Sequence, residues 1–134
     1  MKKIAAVIGS NGAIGNSISE NLLKDDIVDC IYKFSRRIND KDTDKVKNFV
    51  VDIEDEDSIK EAVQSLPDNI KFDLVFVATG ILHNDDDIFP EKSIRDINSI
   101  KLKKVLLVNT IGPTLVGKYL YHSYKKVLKV LSLF

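Results

Sequence analysis

The chain has no tryptophan, one methionine, one cysteine and three prolines in 134 residues. With Cys30 alone, an intrachain disulfide is excluded, and with it the covalent framework of small secreted domains. A reducing compartment fits. The fold must rest on a packed core, and 44% hydrophobic residues are enough to build one. Neither sign of charge is in excess, because 20 basic residues balance 20 acidic ones. This disfavours a globally basic nucleic-acid binder. Long apolar runs are also missing, and no segment nears the roughly 20 apolar residues of a membrane span. The opening MKKIAAVIGSNG begins like a signal peptide, but its apolar run is short and stops at glycine and asparagine. His83 and His122 are isolated, so no metal ligand set can be drawn. The expectation is one soluble, cytoplasmic domain with no nucleic acid and no membrane as partner.

The charge balance hides a split. Residues 1–96 hold 13 Lys and Arg with all 20 Asp and Glu, whereas residues 97–134 hold seven Lys and no acid. Two readings stay open. Solvated faces can differ by chance, or the C-terminal stretch docks on an acidic surface of its own or of a partner.

Short apolar runs alternate with helical patterns. Ile4–Ile8 is continuously apolar, as a strand covered on both faces should be. A glycine-rich turn follows, then a helix from about Ala13 to Lys24 with Ile14, Ile18, Leu22 and Leu23 on one face. Ile27–Phe34 reads as the second strand, 35–47 as loop and Phe49–Ile53 as the third strand. Asp57 or Ser58 can cap a helix carrying Ile59, Ala62, Val63 and Leu66, which Pro67-Asp68-Asn69 ends. Leu74–Ala78 is the fourth strand, and Asn84–Asp87 an acidic loop. One long helix is expected from about Asn98 to Tyr124, kinked at Pro113. Val127–Phe134 reads as a fifth strand. This alternation implies βαβ units and a doubly wound parallel sheet of about five strands in the order 3-2-1-4-5.

Gly9-Ser10-Asn11-Gly12-Ala13-Ile14-Gly15 joins the first strand to the first helix. A glycine at the strand end permits a tight turn, a second lets backbone approach phosphate oxygens, and a third lets helix and sheet pack closely. The helix N-terminus then presents N–H groups to an anion. Its position in a strand–turn–helix favours dinucleotide binding in a Rossmann-like fold over a turn that binds nothing. No Lys-Ser or Lys-Thr pair follows, so the loop is not a P-loop. Ser35, Arg36 and Arg37 follow the second strand, where an acid would suit a ribose 2′-OH and arginine suits a 2′-phosphate. NADP is therefore expected over NAD, with two solvated loop arginines as the alternative.

With these residues in place, the chain resembles the short-chain dehydrogenases/reductases, and within them the C-factor-like branch. GSNGAIG, FSRR, VDIED, VATGILH, PEKSIRDI and VNTIGP occur in that family's order and spacing over nearly the whole chain. Two departures stand out: the glycine loop is one residue shorter, and Ala13 stands where many members have glycine. The resemblance implies an oxidoreductase acting on a carbonyl or hydroxyl substrate with a nicotinamide dinucleotide. It places Asp52 and Ile53 beside the adenine, although a helix-entry acid is a competing reading of Asp52. It places Ala78, Thr79 and Gly80 where the cofactor ribose passes. It also makes Asn109 the catalytic candidate, bending its helix and holding a water in a proton relay. A buried asparagine satisfied by backbone is the alternative.

In relatives a catalytic serine and a Tyr-x-x-x-Lys follow the fifth strand. Tyr121 to Lys125 spell that motif, but 12 residues after Asn109 and apparently on the same helix, where the tyrosine could not face the nicotinamide. Residues 1–134 are thus expected to be a single, incomplete, truncated NAD(P)-binding domain. The alternative is a catalytically inactive nucleotide-binding or oligomerisation module. Relatives pack the long helix between subunits, so a homo-oligomer is expected, with exchange of C-terminal segments as one form.

Overall fold

The structure, a computed structural model, describes residues 1–83, 88–123 and, for the backbone alone, 130–132. The elements run β1 (Lys3–Ile8), α1 (Ala13–Leu23), β2 (Val28–Ser35), β3 (Val46–Val50), α2 (Glu56–Gln64), β4 (Leu74–Val77), α3 (Ser99–Leu106), α4 (Gly112–Leu120) and β5 (Val130–Ser132). Single 3₁₀ turns cover Ile94–Asp96 and Tyr121–Ser123. A π turn, Leu107–Ile111, joins α3 to α4.

All five strands are parallel, in the expected order β3-β2-β1-β4-β5. The unbroken apolar run of β1 follows from its place at the centre of the sheet. Ala5, Ala6 and Val7 are wholly buried because both sheet faces are covered there. On one face Val7, Val28 and Ile31 meet Ile18 and Leu22 of α1. On the other, Ile8, Phe34 and Val77 meet Ile59 and Ala62 of α2 and Val116 and Leu120 of α4. Tyr32 packs edge-on to Phe72 at 5.3 Å between ring centres and stacks on Phe49 at 5.7 Å. Such pairs add roughly 0.5–1.5 kcal/mol beyond the area they bury.

Three expected boundaries move. The third strand is Val46–Val50 rather than Phe49–Ile53. It is an edge strand, so Lys47 and Asn48 are tolerated in it, and its ladder with Ile31–Ser35 fixes where it starts. Val51 and Ile53 are buried instead in the loop that follows. The cap of α2 is Asp55, whose carboxylate accepts from the Asp57 N–H at 3.0 Å. Ser58 is not free to cap, because its hydroxyl accepts from the Asp52 N–H at 2.9 Å. The single long helix is divided by the π turn into α3 and α4, and Pro113, which has no N–H to carry the hydrogen-bond ladder on, stands in the first turn of α4 just after the π turn. The acidic loop 84–87, Tyr124 and most of the expected fifth strand lie outside the described residues.

Candidate functional site

The sheet order reverses at β1, with β2 on one side and β4 on the other, so the connections after these strands leave in opposite directions and open a crevice. The crevice is a cleft of about 830 Å³. Its wall brings together Gly9, Asn11 and Gly12 from the glycine loop and Ser35, Arg36 and Arg37 from the end of β2. Asp52 and Ile53, which follow β3, join Ala78, Thr79 and Gly80 from the end of β4.

The glycine loop is built by close approach. Gly9 has φ +82°, the left-handed region, and a Cβ there would lie 2.8 Å from Thr79 Cγ2. A Cβ on Gly15 would lie 2.1 Å from the Gly9 carbonyl oxygen, so α1 can start this near to β1 only with glycine at that position. The turn is tied to β2, because the Gly9 and Ser10 N–H groups both donate to the Phe34 carbonyl, at 2.8 and 3.1 Å. No side chain caps α1 at Gly12. Its first-turn N–H groups, at the positive end of the helix dipole, stay available to an anion.

Four of the residues named from the glycine motif do not line the cleft. Ser10 is wholly buried and its hydroxyl donates to the Phe34 carbonyl at 3.3 Å. Ala13 and Ile14 are exposed on the first turn of α1, and Gly15 lies buried beneath Gly9. Their contribution is the loop's shape and, for the helical residues, backbone N–H groups.

After β2 the chain is held tightly. The Arg37 carbonyl accepts from the Ser35 hydroxyl at 2.5 Å and from the Asn11 amide at 2.6 Å. The Arg36 and Arg37 side chains are exposed, and neither forms an ion pair among the described residues. They bring uncompensated positive charge to this end of the cleft. At the far wall Asp52 accepts from the Glu54 N–H at 3.0 Å, and Glu54 pairs with Lys104 of α3. Gly112 lets the long helical segment press on this wall: a Cβ there would lie 2.4 Å from Ile53 Cγ1.

Thr79 Oγ1 is buried with no hydrogen-bond partner among the described residues. It stands where β4 meets the cleft, and a buried hydroxyl without a partner is costly. Asn109 is half-buried beside the site. Its Oδ1 accepts from the Ile81 N–H at 2.7 Å and its Nδ2 donates to the Ile81 carbonyl at 2.8 Å. The backbone-satisfied reading of this asparagine therefore describes its contacts. One amide hydrogen and one lone pair remain for a further partner.

Asn39, Glu54, Ile81, Lys104 and Val108 also line the cleft and were not foreseen. Glu54 could have been inferred from its place after Asp52 and Ile53. Lys104 gave no signal, because a lysine on a helix face reads as solvated.

Compared with family models, the chain matches none, and no curated protein matches it either. Solved structures do. A short-chain dehydrogenase family protein from Francisella tularensis superposes with TM-score 0.81 at 22% identity, covering 98% of this chain and 50% of that one. NADPH-bound carbonyl reductase from chicken fatty liver gives TM-score 0.77 at 18% identity, covering 91% and 48%. A short-chain dehydrogenase/reductase from Burkholderia multivorans with bound NADP gives 0.75 at 18%, covering 93% and 55%. The chain has the Rossmann-like fold of short-chain dehydrogenases/reductases and spans about half the length of these structures.

Proposed function

We propose that the chain binds a nicotinamide dinucleotide, NADP in preference to NAD, as the cofactor-binding part of a short-chain dehydrogenase/reductase-type oxidoreductase acting on a carbonyl or hydroxyl group. One observation carries the reading: the glycine loop, the arginine pair and the end of β4 converge on a single cleft at the switch point of the sheet. The group fits the residues present. Gly12 offers backbone whose added Cβ would meet nothing nearer than the Gly9 oxygen at 3.5 Å, and Thr79 offers an unpartnered hydroxyl. Two of the superposed structures hold NADPH or NADP.

In this reading the α1 N-terminus and the glycine loop hold the pyrophosphate, and Arg36 and Arg37 hold the 2′-phosphate. Asp52 and Ile53 flank the adenine, and Ala78 to Gly80 lie along the ribose. Asn109 fixes the backbone at Ile81 and keeps one donor and one acceptor free for a relay water. The bound cofactor supplies hydride-transfer chemistry.

The test is a melting titration with NADP and with NAD. A ligand at 100 times its Kd stabilises by about 2.7 kcal/mol. NADP should raise the melting temperature at lower concentration than NAD. No shift with either ligand defeats the reading, and a lower half-saturating concentration for NAD defeats the cofactor preference. Oxidation of NADPH dependent on an added carbonyl compound tests the oxidoreductase activity.

Self-association is proposed on the exposed Ile100, Leu102 and Leu106 of α3 and Ile111 of the π turn, apolar side chains that a second copy would cover. Light scattering at micromolar concentration checks it, and a strictly monomeric species refutes it. No helix among the described residues is long and apolar enough to cross a membrane. A cytoplasmic location remains part of the proposal.

A further inference from the structure

Lys33 has no place in the cleft, yet it is one of the most unusual residues in the fold. It sits in β2 between Tyr32 and Phe34, opposite Val7 of the central strand. Its side chain is only 7% exposed, so its charge is largely stripped of water. Burying an ammonium group is costly, and an apolar side chain of similar length is often no less stable at such a position. The charge serves one visible contact. The Lys33 ammonium donates at 2.8 Å to the carboxylate of Asp40, which is 62% exposed.

Asp40 closes the segment that carries Arg36, Arg37 and Asn39 along the cleft. The segment is anchored at both ends. At the near end the Arg37 carbonyl is held by Ser35 and Asn11. At the far end the Asp40 carbonyl accepts from the Asn48 amide of β3 at 3.2 Å, and the same amide reaches the Asp42 carboxylate at 3.0 Å. Lys33 supplies the ion pair found at that end among the described residues, and it comes from the interior of the sheet.

We propose that Lys33 is a positioning residue for cofactor preference: through Asp40 it fixes the backbone from which Arg36 and Arg37 reach the 2′-phosphate of NADP. The proposal rests on the dinucleotide reading of the cleft. Lys33 does not touch the cofactor, because its ammonium group is buried and committed to Asp40. Flexible arginines on a mobile backbone lose more entropy on gripping a phosphate than arginines on a fixed one. The 2′-phosphate is the one group that NADP has and NAD lacks. Loosening the segment therefore weakens NADP and spares NAD, which a merely structural role would not do.

The experiment measures NADP and NAD affinities, melting temperature and amide exchange of residues 36–42 in the wild-type chain, Lys33→Met and Asp40→Asn. Lys33→Met should fold, since it replaces the buried charge by an apolar chain of similar length. If it does not, Asp40→Asn carries the same test from the exposed end. In either variant the NADP affinity should fall about tenfold, the worth of roughly one charge-assisted hydrogen bond. NAD affinity should hold within about twofold, and amides 36–42 should exchange faster. A folded variant with an unchanged NADP-to-NAD ratio, or with equal loss of both, overturns the proposal while leaving the cofactor reading intact. A wild-type chain that binds neither nucleotide overturns the cofactor reading and this proposal with it.

Discussion

The carboxamide of Asn109 pairs with the backbone of Ile81 at both ends, accepting at 2.7 Å and donating at 2.8 Å, as one peptide group pairs with another in a sheet. The contact joins the π turn to the chain just beyond β4. Ile81 thereby gains the two partners that a strand neighbour would otherwise give it. Asn109→Leu leaves both of its backbone groups unpaired in a half-buried place and should cost about 1–3 kcal/mol. Asn109→Asp keeps the acceptor but sets a carboxylate oxygen against the Ile81 carbonyl, so it should destabilise as well. Urea denaturation checks both, and a leucine variant within about 0.5 kcal/mol of wild type would contradict the account.

Two glycines separate close packing from simple helix propensity. Gly15→Ala places a methyl group 2.1 Å from the Gly9 oxygen, so the phosphate-facing turn must move. We expect a loss of about 2 kcal/mol or more and a loss of nucleotide-induced stabilisation. Gly117 lies within α4, and a Cβ there meets nothing within 4 Å. Gly117→Ala should stabilise by about 0.5–1 kcal/mol. Thermal melting of the two variants should show opposite signs, and a shared sign would refute the packing argument.

Glu56 of α2 accepts from Lys118 at 2.9 Å and from the Tyr119 hydroxyl at 2.8 Å, joining α2 to α4 on the surface. These hydrogen bonds, Lys118 first, hold its carboxyl below the ordinary glutamate range, and Glu56 in turn raises the Lys118 ammonium. A carboxylate with a lowered pKa in the folded state stabilises above its unfolded value and loses that contribution as pH falls through the folded one. The lysine contributes below its ordinary pKa and stops as pH rises past its raised one. Wild type should therefore exceed Glu56→Gln in melting temperature at neutral pH, with the gap closing in acid. Because the pair is exposed, the gap should be small and should shrink with salt. A gap that persists in acid would contradict the assignment.

Arg36→Asp reverses the charge at the proposed 2′-phosphate position. NADP affinity should fall by at least about tenfold, since a charge-assisted contact is replaced by repulsion. NAD affinity should stay level or rise, because an acid at this place suits a free 2′-hydroxyl. Equal loss of both nucleotides in a binding titration would remove Arg36 from the assigned role.

The sheet order and the glycine turn were legible because each has a short-range signature: unbroken apolar runs for covered strands, and glycines between a strand and a helix. The third strand was misplaced because hydrophobicity peaks at Phe49–Ile53, whereas hydrogen-bond register with Ile31–Ser35 selects Val46–Val50. Val51 and Ile53 are apolar for a different reason: both are buried in the core from the loop after β3, and Gly112 seats closely on Ile53. The cap of α2 was expected at Asp57 or Ser58 and lies at Asp55, because acids and a serine crowd this entry and the bond between Ser58 and Asp52 withdraws the serine. A break in the long helix was legible from Pro113 and Asn109, but its form as a π turn was not. Within it Asn109 bonds Ile81, a partner 28 residues away in sequence that no local pattern announces. Lys33 escaped notice for the same reason, since its meaning depends on where Asp40 comes to lie.

The central position of β1 has a consequence for how the chain is made. Residues 3–8 leave the ribosome before either of their partners, and their pairing with Val28–Ser35 can form soon after. The other edge of β1 must wait for Leu74–Val77. Until then a row of unpaired backbone groups between wholly buried alanine and valine side chains is open to any strand that arrives, including one from another nascent chain. The strand at the centre of the sheet thus stays open on one side until residue 77 emerges, and over that interval its exposed edge needs protection from neighbouring chains.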